Sequence, residues 1–207
     1  MHPNQIFHDA GPDRNIAFAR ARGFGILAVN ADDGPFLSHI PFSLNEDASS
    51  ADLHLVRSNP IARMGDGPHA AKIIVSGPDS YVSPDWYGVA DQVPTWNYIA
   101  VHLTGTLQRL PQDMIRDVLD RQSADFETQL LPKTPWTTDK MMPEALEKMM
   151  RMIVPLRFTV TGVDGTWKRG QNKPEEVRLA AAEQMATHGI GSETAVMAAM
   201  MRDLDQM

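Results

Sequence analysis

The sequence predicts an α+β domain built on an antiparallel β-sheet or barrel. Short runs of alternating or β-branched residues, separated by turn signals, fill most of the first half of the chain. Helical spacing of apolar residues dominates only after Pro111. The glycine-rich phosphate loops of Rossmann and P-loop proteins do not occur in the sequence. With 207 residues, 43% of them hydrophobic, the chain is long enough to bury one good-sized core.

The first half of the chain begins with a helix and continues as strands. Residues 13–22 are predicted to form a helix, with Asp13 as its cap and Gly23 at its end. The sequence Asp33-Gly34 supplies a hairpin turn between two strand-like runs. Strands are expected over residues 24–30, 36–44, 52–57, 70–76, 81–83 and 97–110.

The second half is mostly helical. After Pro111, apolar residues at helical spacing (Met114, Ile115, Val118 and Leu119) predict one helix. Pro174 marks the start of another, because proline suits the first turn and acidic residues follow it. The remaining elements are a helix over 143–151, a strand over 154–163 that continues toward Trp167, and a final helix from Ser192 to about Leu204.

Composition excludes several kinds of protein. The formal net charge of −7, from 26 acidic and 19 basic residues, argues against a large surface for nucleic acid. The chain has no cysteine, and its seven histidines are scattered, so no metal site is expected. It has neither an apolar run long enough to span a membrane nor the pattern of a signal peptide. We therefore expect a cytoplasmic protein.

An aromatic stretch over residues 77–105 is the most distinctive part of the sequence. It contains all three tyrosines and two of the four tryptophans, and it is interrupted by Pro78, Pro84 and Pro94. Aromatic side chains where a loop meets a strand can form a flat wall for a planar ligand. Alternatively, they plug the end of a small barrel, which is the interpretation that composition alone favours.

A turn with several hydrogen-bond donors follows the strand that ends near residue 57. Arg57, Ser58, Asn59 and Arg63 offer guanidinium, hydroxyl and amide groups at one place in the chain. Such groups suit a phosphomonoester, which arginine can bind through two parallel hydrogen bonds. An ordinary solvated turn at Pro60 explains the same residues equally well.

Two further segments have both a functional and an ordinary interpretation. His39 and Pro41 stand on a predicted strand. Proline there leaves main-chain groups of the strand free, and these could bind the polar edge of a ligand. Alternatively, the proline marks an ordinary sheet edge. Residues 167–176 concentrate basic and amide side chains that suit a phosphate, a helix end or nucleic acid, or that form a charged turn before a helix. These side chains are Lys168, Arg169, Gln171, Asn172 and Lys173.

Taken in order, five segments resemble the PaiB-type FMN-binding negative transcriptional regulators. They are SHIPFSLNED, HLVRSNPIAR, GPDSYVSPDWY, VPTWNYIAVHLTG and QNKPEE. The resemblance implies a split β-barrel of the flavin-reductase and pyridoxamine-phosphate-oxidase type. It also implies a homodimer with FMN at the subunit interface. It covers residues 1–178, which we expect to form the FMN-binding domain, followed by a helical extension over 179–207.

The resemblance also assigns residues to the FMN site by their position in the motifs. Arg57, Ser58, Asn59, Pro60 and Arg63 correspond to the phosphate-binding part. The other expected contacts are with the isoalloxazine ring or the cofactor edge: His39, Ile40, Pro41, Ser83, Trp86, Tyr87, Trp96, Asn97, Lys168, Gln171 and Asn172. The resemblance assigns no catalytic residue.

Three functions are compatible with these assignments. The resemblance implies a flavin- or redox-linked transcriptional regulator, although the net charge gives little support to direct DNA binding. The alternative is an FMN-dependent oxidoreductase or flavin reductase that exchanges hydride with a nicotinamide or a small molecule. In a third interpretation the pocket no longer binds flavin and the dimer is an interaction module.

Overall fold

A computed structural model describes residues 1–205 of the chain. Within these residues the α-helices are α1 (Pro12–Arg22), α2 (Ile115–Thr128), α3 (Pro143–Met150), α4 (Glu175–His188) and α5 (Thr194–Arg202). The strands are β1 (Phe24–Val29), β2 (Phe36–Pro41), β3 (Ser43–Leu44), β4 (Ser50–Val56), β5 (His69–Val82), β6 (Thr95–Arg109) and β7 (Ile153–Lys168). The predicted α+β fold is confirmed, and so is the order of its elements.

Two strands differ from the sequence prediction. The runs predicted separately at 70–76 and 81–83 form one strand, β5, with Pro78 inside it. Proline removes one donor there, but the next residues stay paired, because Asp79 N donates to Ser192 O and Tyr81 N to Ile190 O. Conversely, the run predicted over 36–44 is divided at Phe42 into β2 and β3.

The strands form one seven-stranded antiparallel sheet in the order β2-β1-β5-β6-β7-β4-β3. The hairpin β1–β2 pairs Val29 with Phe36 next to the predicted turn, where Gly34 adopts a φ of +115° that favours glycine. β2 and β3 stand at opposite ends of the strand order, yet only Phe42 separates them in sequence. β2 also contacts β4, as expected of a sheet that returns on itself in a barrel.

The contacts divide the chain into two units. Unit 2 contains residues 19–74 and 103–162, and its core is formed by buried aliphatic residues of the strands together with Phe42 and Phe158. Helix α2 packs on β4 in this unit. Gln122 on α2 fixes that contact, because its side-chain amide donates to the main-chain oxygens of Asp52 and Pro41.

Unit 1 contains residues 1–18, 75–102 and 163–207, of which Gln206 and Met207 lie outside the described residues. Its centre is Trp167, which is fully buried and donates from Nε1 to Asn15 Oδ1 over 2.7 Å. The Arg14 guanidinium lies 4.4 Å from the centre of that ring, and the Phe18 ring packs against it edge-on. Helix α4 packs on α5 and on the short 3-10 helix Pro84–Tyr87. The predicted boundary between residues 178 and 179 stays a prediction.

No helix of the described residues has the length and apolar character needed to cross a membrane.

Candidate functional site

The predicted phosphate-binding turn, residues 57–63, follows β4 directly in unit 2. The main-chain nitrogen of Asn59 donates to Val56 O over 2.9 Å, which closes the turn. The Asn59 side chain then holds it in place, because Oδ1 accepts from Ile61 N and Nδ2 donates to Ser38 Oγ on β2. The turn is therefore attached to two strands of the sheet, which fixes the position of the donors around it.

The two arginines of this turn differ in how much of their donor capacity is in use. Arg57 donates from Nε to Arg151 O and from Nη2 to Gln112 Oε1, both over 2.6 Å. Arg63 makes one long bond, 3.4 Å from Nε to Arg57 O. Within residues 1–205 the two terminal nitrogens of Arg63 and the hydroxyl of Ser58 have no hydrogen-bond partner. Arg63 is therefore the guanidinium that is available to an anion.

Only part of the segment that was predicted to contact the ligand on strand β2 is accessible. His39 is exposed, and its ring lies 6.4 Å from that of Phe24 in a stacked arrangement. The side chain of Ile40 is only 1% exposed and belongs to the core. Any role of Ile40 toward a ligand therefore belongs to its main chain, and the main-chain oxygen of Pro41 already accepts from Gln122.

In unit 1 the aromatic stretch divides into a buried part and an exposed part. Tyr87 is 3% exposed, and this burial raises the pKa of its hydroxyl. Trp96 is 47% exposed, and its ring meets that of Tyr81 edge-on at 6.2 Å. The plug interpretation thus describes Tyr87, whereas Trp96 keeps an open ring surface. Ser83 and Trp86 are partly buried and are joined by the bond from Trp86 N to Ser83 O.

Asn97 points away from this open ring surface. Its side chain is buried, and Nδ2 donates to Met201 Sδ on α5 over 3.3 Å. This follows from the strand period of two, since Asn97 stands between Trp96 and Tyr98 on β6 and faces the opposite side.

The second basic segment, residues 167–173, is held by bonds within unit 1. Lys168 Nζ donates to Thr95 Oγ1 over 2.5 Å, and burial lowers the pKa of Lys168. Lys173 Nζ donates to Gln92 Oε1 and lies 5.1 Å from the centre of the Tyr87 ring. Gln171 donates to Trp167 O and to groups of the N-terminal segment, while Asn172 is exposed.

Arg169 is the most enclosed residue of this segment. Its side chain is 1% exposed, and it donates to Asp9 Oδ2 over 2.8 Å and to the main-chain oxygen of Leu204. Burial lowers the pKa of Arg169, whereas the charge of Asp9 acts in the opposite direction. The guanidinium therefore serves the structure of unit 1.

Sequence reasoning missed residues that complete these arrangements. Ser38 holds the 57–63 turn, Thr95 and Gln92 hold the lysines, and Tyr81 pairs with Trp96. The only signal for them was local, in that Thr95 precedes Trp96 and Tyr81 lies in the same aromatic stretch. Their partners lie too far away in sequence for a motif to reveal.

The open donors of the 57–63 turn and the exposed ring of Trp96 each suit one part of a flavin mononucleotide. The open guanidinium and hydroxyl of the 57–63 turn match a phosphate, and the exposed Trp96 ring matches a planar ring system. Among the residues that the structure describes, no three histidine, aspartate or glutamate side chains are placed to hold a metal ion. The open donors of the 57–63 turn and the Trp96 ring therefore have the chemistry that the predicted cofactor requires, whereas the side chains of Ile40 and Asn97 are buried.

Comparison with known proteins agrees with a flavin-binding family. The model of the family described as "Putative FMN-binding domain" matches residues 1–162. The chain is 28% identical over 170 residues to "Protease synthase and sporulation protein PAI 2" of Bacillus subtilis, which covers 81% of each chain.

Solved structures share the fold at low sequence identity. The FAD and heme binding protein from Mycobacterium smegmatis superposes with a TM-score of 0.56 at 16% identity, over 88% of this chain and 80% of that one. The flavocytochrome Anf3 from Azotobacter vinelandii also gives 0.56, at 9% identity, over 93% of this chain and 80% of that one.

Proposed function

Because the chain belongs to the family of FMN-binding domains and its cofactor is FMN or a related flavin, we propose that it is a homodimeric, flavin- or redox-linked regulator of gene expression. The similarity to a Bacillus subtilis protein named for protease synthesis and sporulation supports the regulatory part of this proposal. The cytoplasmic location of such a regulator stays a prediction of the sequence.

The observation that carries the proposal is the exposed ring of Trp96. Nearly half of a large indole surface is open at the start of β6, next to Tyr81, in a stretch where the neighbouring Tyr87 is fully packed. An open aromatic ring can pack against a planar ligand or a second subunit, and tryptophan is enriched at interfaces. A flavin ring bound where two subunits meet would cover this surface.

In this proposal the 57–63 turn binds the cofactor phosphate. Arg63 and Ser58 supply the direct donors, Arg57 adds positive charge, and Asn59 with Pro60 fixes the turn. The other residues of the proposed set are assigned to the ring or the cofactor edge by their position in the motifs alone: His39, Ile40, Pro41, Ser83, Trp86, Tyr87, Trp96, Asn97, Lys168, Gln171 and Asn172.

We propose that regulation proceeds through a protein partner. The net charge of −7 opposes the approach of a DNA backbone, and no helix-turn-helix pattern occurs in the sequence. In this proposal, binding of the flavin or a change in its redox state alters the dimer surface that such a partner contacts.

A second candidate is an FMN-dependent oxidoreductase. The observation in its favour is the pair of lysines, Lys168 and Lys173, that lie along the aromatic stretch. Positive groups near a flavin ring tune its electronic properties, while the flavin itself supplies the hydride or electron chemistry.

The first experiment is an absorbance spectrum of the purified protein with and without added FMN, recorded across a size-exclusion peak. Flavin bands at about 370 and 450 nm that travel with a dimer would support the cofactor and the assembly. Oxidation of NADH or NADPH by the flavin-loaded protein would then favour the oxidoreductase. Flavin that travels with a monomer peak would contradict the proposed interface.

A direct test of regulation is a binding assay with promoter DNA at low salt, with FMN bound, beside affinity capture with the flavin oxidised or reduced. A shift of the promoter DNA that is lost when the salt concentration is raised would contradict the proposed protein partner and indicate direct repression. A captured protein that changes with the flavin state would support the proposal.

A further inference from the structure

A cavity in unit 2 is lined by none of the residues proposed to bind flavin. It has a volume of about 350 Å³ and is lined by residues of β3, β4, α2 and β7 together with the segment between β3 and β4. The charged lining residues are Asp52, Arg121, Asp125 and Arg157. Ser43, Asn45 and Ser50 add short polar side chains.

Asp52 fixes both arginines at the wall of this cavity. Its carboxylate accepts from Arg157 Nε over 2.7 Å and from Arg157 Nη2 over 3.0 Å, and Arg121 Nη2 donates to the same carboxylate over 2.5 Å. Burial alone would raise the pKa of Asp52, but the bonds and charges of Arg157 and Arg121 lower it. One carboxylate thus holds two guanidinium groups in fixed orientations, which leaves the trio with one excess positive charge.

The unused donors of this trio are available to an anion. Arg157 Nη1 and the Nε and Nη1 atoms of Arg121 have no hydrogen-bond partner within residues 1–205. Arginine held in a fixed orientation by an acidic residue binds carboxylates well, because its planar donors match two carboxylate oxygens. The hydroxyl of Ser43 is also buried without a partner.

A negative charge faces this positive end from one turn further along α2. Asp125 lines the cavity, and its carboxylate has no partner among the described residues. A purely anionic ligand would be repelled by Asp125, whereas a ligand with an ammonium group beside its carboxylate would satisfy both charges.

A second, less charged cavity of about 230 Å³ adjoins the first. The two share Ser43, Leu44 and Asp125. The second is also lined by Phe42, Phe126, Thr128, Gln129 and Arg20, whose guanidinium already donates to the main-chain oxygens of residues 44–46. Together the cavities fall in the range of roughly 300–1,000 Å³ that is typical of small-ligand sites. The groove therefore offers the positive charges of Arg121 and Arg157, the negative charge of Asp125 and, beside it, the apolar side chains of Phe42 and Phe126.

We propose that this groove binds a free α-amino acid with an apolar side chain. The carboxylate contacts Arg121 and Arg157, the ammonium group contacts Asp125, and the side chain lies toward Phe126 in the adjoining cavity. This site goes beyond the proposed flavin function, and it would give the protein a metabolite input that does not depend on the cofactor.

The test is isothermal titration of the flavin-loaded protein with a panel of L-amino acids headed by L-leucine. Two analogues each remove one charge from L-leucine, namely 4-methylpentanoate without the amine and 3-methylbutylamine without the carboxylate. We expect an apolar amino acid to bind at least tenfold more tightly than its two analogues. No binding by any amino acid of the panel would overturn the proposal, as would equal binding of 4-methylpentanoate and L-leucine.

Variants on the exposed face of α2 locate the site. Arg121→Gln and Asp125→Asn should each weaken amino-acid binding at least tenfold, because each removes one of the two recognised charges. Asp117→Asn, on the same helix and exposed outside the cavity, is the matched control and should leave it unchanged. Retained FMN in all three variants shows that they are folded and separates this test from the flavin proposal. Unchanged binding in Arg121→Gln and Asp125→Asn would place the ligand elsewhere.

Discussion

The two basic turns of this protein, residues 57–63 and 167–173, have similar compositions but different hydrogen bonding. In the 57–63 turn the terminal nitrogens of Arg63 and the hydroxyl of Ser58 have no partner within the described chain. In the 167–173 turn the lysines, Arg169 and Gln171 all donate to groups of unit 1. The donors that can bind a phosphate without breaking an existing bond are therefore those of the 57–63 turn.

The difference has a physical cause in burial. Arg169 is enclosed, and an enclosed guanidinium must find acceptors within the protein because water cannot reach it. Arg63 is exposed, so water satisfies its donors until an anion replaces that water. Arg63 in the first turn is thus suited to binding an anion, and Arg169 in the second to stabilising unit 1.

Replacing Arg169 should have the largest effect. Arg169→Met removes a buried charge that is bonded to Asp9 and to the main chain of Leu204, and it should lower the free energy of unfolding by about 2–3 kcal/mol. Urea denaturation measures this change. The control, Arg202→Met, removes an exposed pair with Glu183 and should cost less than about 1 kcal/mol. Equal effects of the two variants would remove the structural role from the 167–173 turn.

Replacing Arg63 should act on binding instead of stability. Arg63→Ala should weaken FMN binding by about 1.5–3 kcal/mol, roughly ten- to a hundredfold in Kd, because it removes charge-assisted bonds to phosphate. Riboflavin, which lacks the phosphate, should bind as before. Fluorescence titration with both ligands gives the comparison.

The matched control for Arg63 is Arg57 in the same turn. Because the Arg57 guanidinium already donates to Arg151 O and Gln112 Oε1, Arg57→Ala should cost stability and reduce FMN affinity by less. A larger loss of FMN affinity in Arg57→Ala than in Arg63→Ala would reverse the assignment of the two arginines.

Trp96→Ala tests whether Trp96 contacts the flavin ring. It should weaken the binding of FMN and of riboflavin by the same amount, and the lost aromatic contact accounts for about 0.5–1.5 kcal/mol of that change. Trp136→Ala, which removes another exposed tryptophan, should leave both affinities unchanged. A fall in the urea midpoint of Trp96→Ala with unchanged flavin affinity would make Trp96 a packing residue after all.

The pH dependence of Lys168 gives the smallest effect. Burial lowers the pKa of Lys168 below its ordinary value of 10.5, so the unfolded chain holds this proton more tightly than the folded one. The contribution of Lys168 to the free energy of unfolding should therefore rise as the pH climbs from the folded pKa toward 10.5, while the raised pKa of Tyr87 acts in the opposite direction above pH 10. Urea unfolding curves measured between about pH 8 and 11 should therefore show the free energy of unfolding of the parent protein rising relative to that of Lys168→Met.

An exposed lysine, Lys72, is the control for that experiment. Lys72→Met should keep the alkaline rise of the parent protein, because the ammonium group that causes it is still present at Lys168. If Lys168→Met and the parent protein had parallel curves, Lys168 would be more open to water than its bond to Thr95 indicates.

The sequence was sufficient to predict the order of most helices and strands, although β5 was predicted as two strands and β2 with β3 as one. The Asp33-Gly34 turn, the helix after Pro174 and the late strand that reaches Trp167 were all evident from local patterns. Such patterns depend on backbone preferences and on periodicity over a few neighbouring residues. The same motifs, read in order, also predicted the family that the family model matches.

Only the tertiary structure decided which polar groups are used within the fold. Asp52 meets Arg121 and Arg157, which stand 69 and 105 positions away, and Asn97 meets Met201 across 104 positions. Pro78 remains inside β5 because residues 190–192 pair with the strand just beyond it. The conformational preferences of neighbouring residues do not reveal such partners, because burial and hydrogen bonding between distant segments arise only when the chain has folded. The sequence by itself therefore determined the elements and the family, and the fold determined which donors stay open to a ligand.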